Sequence, residues 1–458
     1  MQARTLDGYQ LLHRGALALG RAERFGMRVD VEYCEKQKVI LTRRIERSER
    51  LFAESKLARH WQHVYGGTYN MRSDDQLGHM LYVKMGLAPF KETEGGKGGT
   101  DEESLLAVDI PELQHIITHR KLSKIRDTYL DSFVREQRDG WVHPFFNLHT
   151  VKSYRSSSDR PNFQNVPEHD EDAKRICQRA VYTRKGHLFM KADFSSLEVN
   201  IAACYHKDPT MISYLLDPKS DMHADSAKEL FLLNALDKSA PAGKRLRFEA
   251  KNNFVFAEFY GSYYVECARN LAHATALPTS GRFEAGQGIA TPDNTPLADH
   301  FIKRGVQSYD DFETVVRKAE DRLWKERFPV YAKWREKWYA EYERKGYFDL
   351  LTGFRCTGYM RRNEVINLPI QGAAFHCLLW TLIRLDEIAQ QERWDSRIVG
   401  EVHDDVYIDT HPDEKEHIAE VANRIVSEEL PRMWPWIIVP LKIEIKYGPV
   451  DGSLYDVQ

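Results

Sequence analysis

The chain contains no C-x-x-C pair, and its six cysteines (Cys34, Cys177, Cys204, Cys267, Cys356, Cys377) are scattered. That spacing argues against a zinc site or a disulfide framework and fits a reducing cytosol. Long apolar runs are scarce as well. The best candidate, "FHCLLWTLIRL", is short and interrupted by Arg384, below the roughly 18 residues of a membrane span. The first residues, "MQARTLDGYQLLHRG", hold no apolar stretch of signal-peptide type, so no membrane partner and a cytoplasmic location are expected. No internal repeat is visible. Charge of one sign does not dominate either: 65 Lys+Arg face 68 Asp+Glu, a net charge of -3. This neither demands a polyanion partner nor excludes one, since a basic groove can coexist with an acidic back surface. One phosphate-binding pattern also fails, because no glycine stands five residues before Gly96-Lys97.

What is present is an ordinary globular composition, 42% hydrophobic and 29% charged over 458 residues. That length exceeds one hydrophobic core, so several subdomains are expected. Residues 34–60 read as one long solvated helix. "SDDQLGHMLYVKMGL" reads as a second, capped by Ser73, and a further helix starts at Thr100 or Asp101. "ELQHIITHRKLSKIRDTYL" gathers His115, His119, Arg120, Lys121, Lys124 and Arg126, which makes it a candidate polyanion-contacting face. "YRSSSDRPNFQNVP" reads as a polar loop. In "HLFMKADFSSLEVNIAACY" a strand ends at Asp193, and Ser195 and Glu198 are spaced as a capping box for the helix that follows. A helical block at 244–272 precedes a Gly/Pro-punctuated excursion at 273–310, and two amphipathic helices break at Pro329. A buried helix, a hairpin and a final strand complete an α+β pattern, with a small antiparallel sheet from the chain ends.

The hairpin, "VGEVHDDVYID", places Asp404 and Asp405 where two strands meet. Aspartate is a turn former, and a rigid hairpin also suits a metal carboxylate; these eleven residues leave both readings open. Asp193, at another strand end, supplies a possible second carboxylate for a pair of Mg²⁺ ions about 3.5–4 Å apart. Between them lies "RFEAKNNFVFAEFYG". Arg247 and Lys251 stand at i and i+4, as do Phe256 and Tyr260. Cations with aromatics on one helix suit a triphosphate and a stacked base.

Taken together, "DFSSLEVNIA", "RFEAKNNFVFAEFYG" and "EVHDDVYID" resemble motifs A, B and C of the family A DNA polymerases, in order. "NMRSDDQLGHMLYVKMGL", "LSKIRDTYLDSF", "YRSSSDRPNFQNVP", "DMHADSAKELF" and "INLPIQGAAFH" are similar to further segments of that family, from about residue 8 to 458. The resemblance implies a right hand of palm, helical fingers and helical thumb. It assigns an N-terminal palm segment to 1–33, thumb to 34–150, palm with motif A to 151–215, fingers with motif B to 216–395, and palm with motif C to 396–458. It implies a DNA-directed DNA polymerase using two Mg²⁺ ions, with Mn²⁺ as a substitute, acting as a monomer on primer–template DNA and dNTPs. Asp193, Asp404 and the carbonyl of Phe194 would hold the metals. Asp405 stands where the family usually has Glu, so it would reach them through water or serve the turn. Glu198 would exclude a 2′-hydroxyl. Arg247 and Lys251 would bind the triphosphate with His223 near it, Phe256 would stack on the incoming base, and Tyr260 would lie by the template base. Arg155, Gln164, Asn165, Asn367, Gln371 and His403 would line the primer–template near the insertion site, and Lys124 would touch the duplex backbone.

Three departures follow. No 3′–5′ exonuclease segment precedes the thumb region, so proofreading is expected from another chain, if any. The 273–310 stretch is longer and more Gly/Pro-rich than in compact bacterial members, and the wording "FVFAEFYGSYY" resembles phage-type members, which would place the protein in a bacterial host cytoplasm, with a separate exonuclease or processivity protein as further partners. The step from Lys251 to Phe256 is five residues rather than four, adding about 100° of rotation. A wide turn between about Asn252 and Val255 would absorb it; the alternative is a regular helix with Asn252 in the lysine's place. Competing functions are a single-subunit RNA polymerase, disfavoured by Glu198 and Phe256, and a non-catalytic nucleic-acid-binding relative, disfavoured by the presence of Asp193, Arg247, Lys251 and Asp404.

Overall fold

The computed structural model describes residues 5–93, 95–108, 110–168 and 170–457. At its centre lies a four-stranded antiparallel sheet in the order Ile443–Tyr447, Leu188–Phe194, Asp405–Thr410, Arg397–Val402. The expectation of a sheet drawn from the chain ends is corrected here, because Leu188–Phe194 comes from mid-sequence. This strand is buried on both faces apart from Lys191 and Asp193, as a strand flanked by two neighbours and covered above and below must be. The N-terminal strand Met27–Val29 belongs to a separate sheet, between Trp141–Val142 and Val181–Tyr182.

The largest core joins the four-stranded sheet to two helices, Thr5–Phe25 and the 31-residue Arg362–Glu392. Arg21 Nε donates to Asp386 Oδ2 at 2.9 Å and Arg14 Nη2 to Glu387 Oε1 at 2.5 Å, fixing one helix along the other. The longer helix is long and apolar enough to cross a membrane, but 83% of its apolar window is buried inside the protein. It is a core helix. At Gly372 an added Cβ would meet the carbonyl oxygen of Ser153 at 2.4 Å. Only a hydrogen fits there, and the 153–156 segment consequently runs against the helix.

A second core gathers helices between residues 203 and 331, a third packs the Val31–Ala53 helix under Leu122–Phe133, and a fourth spans Phe52 to Ile117. Phe90 meets the helix Tyr264–Ala274, its carbonyl accepting from Arg269 Nη1 at 3.0 Å and its ring lying 5.2 Å from that of His273.

Local expectations fare unevenly. The helix expected over 34–60 is two, Val31–Ala53 and Lys56–Tyr65, because Ser55 caps the second by accepting from the Ala58 amide. Ser73 and Asp101 cap their helices through side chains. The polar loop at 154–167 contains a strand, Ser157–Asp159, paired with Phe145–Asn147, and a 3₁₀ turn at Phe163–Asn165. The polyanion face is largely consumed by the chain's own acids. His119 is buried against Glu49, Arg120 pairs with Asp74, Lys121 with Asp170 and Arg126 with Asp127.

Candidate active site

The tip of the 399–409 hairpin is His403-Asp404, with His403 at φ +57°. Asp405 is not a turn residue: it opens the second strand and pairs in register with Asp193. Both carboxylates thus sit at one end of the sheet. The backbone bonds alternate sides. Ser195 N–H donates to Lys442 O at 3.0 Å on one side, and Phe194 N–H donates to Asp404 O at 3.2 Å on the other. Phe194's own carbonyl therefore lies on the Asp404 side. Burial, with the Glu198 and Asp193 carboxylates beside it and Arg155 opposing, lifts the Asp404 carboxyl to about 6. That is excess negative charge in one place.

Lysines on the flanking strands answer part of it. Lys191 Nζ lies 2.7 Å from Asp405 Oδ2 and Lys446 Nζ donates to Asp193 Oδ2 at 3.3 Å. The other Asp405 oxygen is buried without a hydrogen-bond partner. Burial and the neighbouring Asp193 raise the Asp405 carboxyl while Lys191 lowers it. Among the described residues no three His, Cys, Asp or Glu side chains converge as a preformed cage. Mg²⁺ is usually bound through one or two carboxylates plus substrate phosphates, so Asp193 and Asp404, with the Phe194 carbonyl, fit such an ion.

The expected capping box is not formed. The helix begins at Leu197 after Ser196, which sits at φ +53° and makes no side-chain cap bond. Glu198 turns instead to the cleft, where Tyr260 O–H donates to Oε2 and Arg155 Nη1 to Oε1 at 3.5 Å. A carboxylate with two better donors nearby leaves the helix end. Burial and Glu198 together push the Tyr260 phenol well above its ordinary pKa.

The five-residue step is absorbed as expected. Lys251–Phe256 forms a π turn between the helices Pro241–Ala250 and Ala257–Phe259. Lys251 Nζ stands 5.1 Å over the Phe256 ring, and Phe256 lies 6.4 Å from Tyr260. The helix stops at Gly261 (φ +96°), where a Cβ would meet Asn363 Oδ1 at 2.2 Å. Asn367 Nδ2 donates to Tyr260 O at 2.9 Å, tying this end to the long core helix. His223 meets Phe256 edge-on at 5.4 Å. Burial and then the cations Arg247 and Lys251 push it down to about 4, so its imidazole is neutral at pH 7.

Glu198, Lys251, Phe256, Tyr260, Asn367 and Asp404 line one cavity of about 280 Å³. Arg247 does not line it. Its Nε donates to Asp221 Oδ2 at 2.8 Å, and Lys238 reaches the same oxygen at 3.2 Å. Burial alone would raise Asp221, but Arg247, the Ala224 amide and Lys238 hold it down at about 2. A second groove, of about 290 Å³, brings together Arg155, Gln164, Asn165, Gln371 and His403. Lys124 lies in a third cavity, which it shares with Asn165.

Sequence reasoning missed Asp221, Lys191, Lys446 and Glu401. Lys191 carried a signal, since it shares a strand face with Asp193. Glu401 carried another, as a carboxylate three residues before Asp404 in a strand that is otherwise uncharged after Arg397.

The model for DNA polymerase family A matches residues 43–453. The chain is similar to DNA polymerase I of Geobacillus stearothermophilus, 26% identical over 444 residues, covering 94% of this chain and 44% of that protein. It is similar to the thermostable DNA polymerase I of Thermus aquaticus, 26% identical over 446 residues, covering 94% and 46%. The chain thus spans less than half the length of these curated relatives. Among solved structures it resembles the POL domain of Pol1 from M. smegmatis, in complex with DNA primer-template and dNTP. The TM-score is 0.73 at 22% identity, over 97% of this chain and 70% of that one. The fold is the palm, fingers and thumb of that domain, and the chain belongs to DNA polymerase family A.

Proposed function

We propose that this chain is a template-directed DNA polymerase that extends a primer 3′-OH with dNTPs by two-metal phosphoryl transfer. One observation carries the reading: a metal-competent carboxylate (Asp404), a phosphate cation (Lys251), a stacking ring (Phe256) and a sugar-facing Glu198 share one cavity. Phosphoryl transfer asks mainly for in-line positioning and compensation of developing negative charge. Lys251 supplies charge at the phosphate end, Phe256 a face for the base, and Glu198 a wall where a 2′-hydroxyl would stand. Arg247, steadied by Asp221, joins the phosphates when a triphosphate offers a better partner than one carboxylate. Asp193, Asp404 and the Phe194 carbonyl would hold Mg²⁺, or Mn²⁺ in its place. When bound, such ions activate the attacking hydroxyl and offset charge on the leaving phosphate.

Arg155, Gln164, Asn165, Gln371 and His403 form the wall against the primer–template, Asn367 its junction with the nucleotide cavity, and Lys124 a contact to the duplex backbone. The palm, thumb and fingers divide as the sequence resemblance has them at 33, 150 and 215, but the fingers end before Arg362 rather than at 395, because the Arg362–Glu392 helix packs in the core of the palm sheet. The enzyme works as a monomer in the cytoplasm of a phage-infected bacterial cell.

Primer extension with purified protein tests this. Mg²⁺-dependent, template-directed addition of dNTPs in strong preference to rNTPs is expected. Addition of rNTPs alone would favour an RNA polymerase, and binding without extension a non-catalytic relative. A labelled mismatched primer should stay intact with Mg²⁺ and no nucleotides; shortening that persists in Asp404→Asn reveals a nuclease.

A further inference from the structure

The face of the central sheet that carries Asp193 holds its charges in two rows. In register across three strands, Asp405, Asp193 and Glu444 form the row at the sheet end, and Tyr407, Lys191 and Lys446 the row beneath it. Residues two apart on a strand share a face, so both rows stand on one side of the sheet. Lys191 and Lys446 are directly opposed, and like charges so placed repel each other. The carboxylates in the row above offset that repulsion.

The two lysines are held differently. Lys191 is largely buried, with its Nζ 2.7 Å from Asp405 Oδ2 and 5.6 Å over the Tyr407 ring. Lys446 is looser. Its side chain is 38% exposed, its Nζ donates to Asp193 Oδ2 at 3.3 Å, and Glu444 Oε2 stands 3.9 Å away as a second carboxylate. The Glu444 side chain is 65% exposed, so it can take the ammonium without burying a charge. Asp193 is also one of the groups that fit a Mg²⁺ ion. A lysine and a divalent ion at one carboxylate repel each other. By Coulomb's law, a unit charge about 6 Å from the ion weakens its binding roughly tenfold even at the dielectric constant of water.

We propose that Lys446 is a positioning residue that holds Asp193 in the metal-free enzyme and yields it to an incoming metal ion by moving toward Glu444, so that it sets the concentration of divalent ion the site needs. The proposal rests on the metal assignment made above and adds a resident competitor to it. The free site then holds metal weakly and leaves a triphosphate, with its several negative charges, to bring the ion in.

Mn²⁺ binding to the purified chain, without DNA or nucleotide, tests this, read from the electron paramagnetic resonance signal of free Mn²⁺. The relevant Mn²⁺ is the fraction that a protein binds and its Asp404→Asn counterpart does not. Lys446→Met should bind that fraction about five- to tenfold more tightly than the parent. Lys446→Arg keeps the charge and should bind it as the parent does. A gain in affinity is not a result that damage to the fold produces, and its reversal by arginine assigns it to the cation. Equal affinity in the parent and Lys446→Met, or a Lys446→Arg variant as tight as Lys446→Met, overturns this proposal alone. If neither the parent nor Lys446→Met binds any Mn²⁺ that Asp404→Asn removes, the metal assignment falls and this proposal with it.

Discussion

The amide of Phe194 donates to the carbonyl of Asp404 at 3.2 Å, so two residues more than two hundred positions apart are joined by backbone alone. The carboxylates of Asp193 and Asp404 inherit their separation from a sheet, not from flexible side chains. A metal site built this way loses little entropy on loading. Asp193→Asn and Asp404→Asn should therefore leave this geometry standing and remove only charge. Synthesis should fall about 10³-fold or more while primer–template affinity stays within about twofold. Near-normal extension by Asp404→Asn would sink the site assignment.

Asp405 should behave differently, as half of an ion pair. Its side chain and that of Lys191 are 13% and 15% exposed. Breaking a buried pair strands its partner's charge, at about 3 kcal/mol. Asp405→Ala should lower the urea midpoint accordingly, and adding Lys191→Met should restore most of the loss. An Asp405→Ala protein as stable as the parent would show the pair to be inconsequential.

Ionisation of Asp404 opposes folding. Its pKa of about 6 lies above the roughly 3.9 of an unfolded chain, so the stability it contributes is present below pH 4 and lost as pH rises through 6. In metal-free buffer Asp404→Asn should be more stable than the parent at pH 8, by about 1–2 kcal/mol, and indistinguishable near pH 4. The Mg²⁺ concentration needed for half-maximal synthesis should rise as pH falls from 7 to 5. A parent and variant of equal stability at pH 8 would contradict the charge crowding described above.

Sugar selection should depend on Glu198, Tyr260 and Phe256. Glu198→Ala should raise rNTP incorporation by opening the 2′ position. Tyr260→Phe should raise it less, since it removes only the hydroxyl that holds Glu198 in place. Phe256→Tyr should improve dideoxynucleotide use, as the family resemblance implies. Single-turnover incorporation of matched rNTP, ddNTP and dNTP measures all three, and unchanged ratios throughout would move the sugar pocket elsewhere.

Lys251→Ala should weaken dNTP binding at least tenfold more than Asn252→Ala, seen in KM with kcat less affected. Equal effects would place Asn252 at the phosphates.

Much of this site was legible in the residues and some was not. Helix spacing announced that Arg247, Lys251, Phe256 and Tyr260 belong together, and counting residues located the irregular turn, because an α-helix has a fixed rotation per residue. What spacing could not convey was the company each side chain keeps. Glu198 looked like a helix cap because capping is local, and the donors that draw it away, Arg155 and Tyr260, are distant in sequence. The basic run at 115–126 looked like a nucleic-acid face, yet its acids wait at Glu49, Asp74 and Asp170. Asp405 looked like half of a turn because the register that pairs it with Asp193 is set by strands far apart in the chain. Local periodicity survives into the fold; partnership depends on long-range register.

The π turn at Lys251–Phe256 makes the length of this helix negotiable by a kind of change that substitutions never explore. Removing one residue from the turn, at Asn252, would close it to regular α-helix and bring the aromatic pair to a four-residue step behind the cations, with all four side chains still on one face. A deletion in a catalytic helix is ordinarily ruinous, because everything beyond it swings by about 100°. Here it should spare the helix beyond the turn that swing, and an insertion at the same point should not.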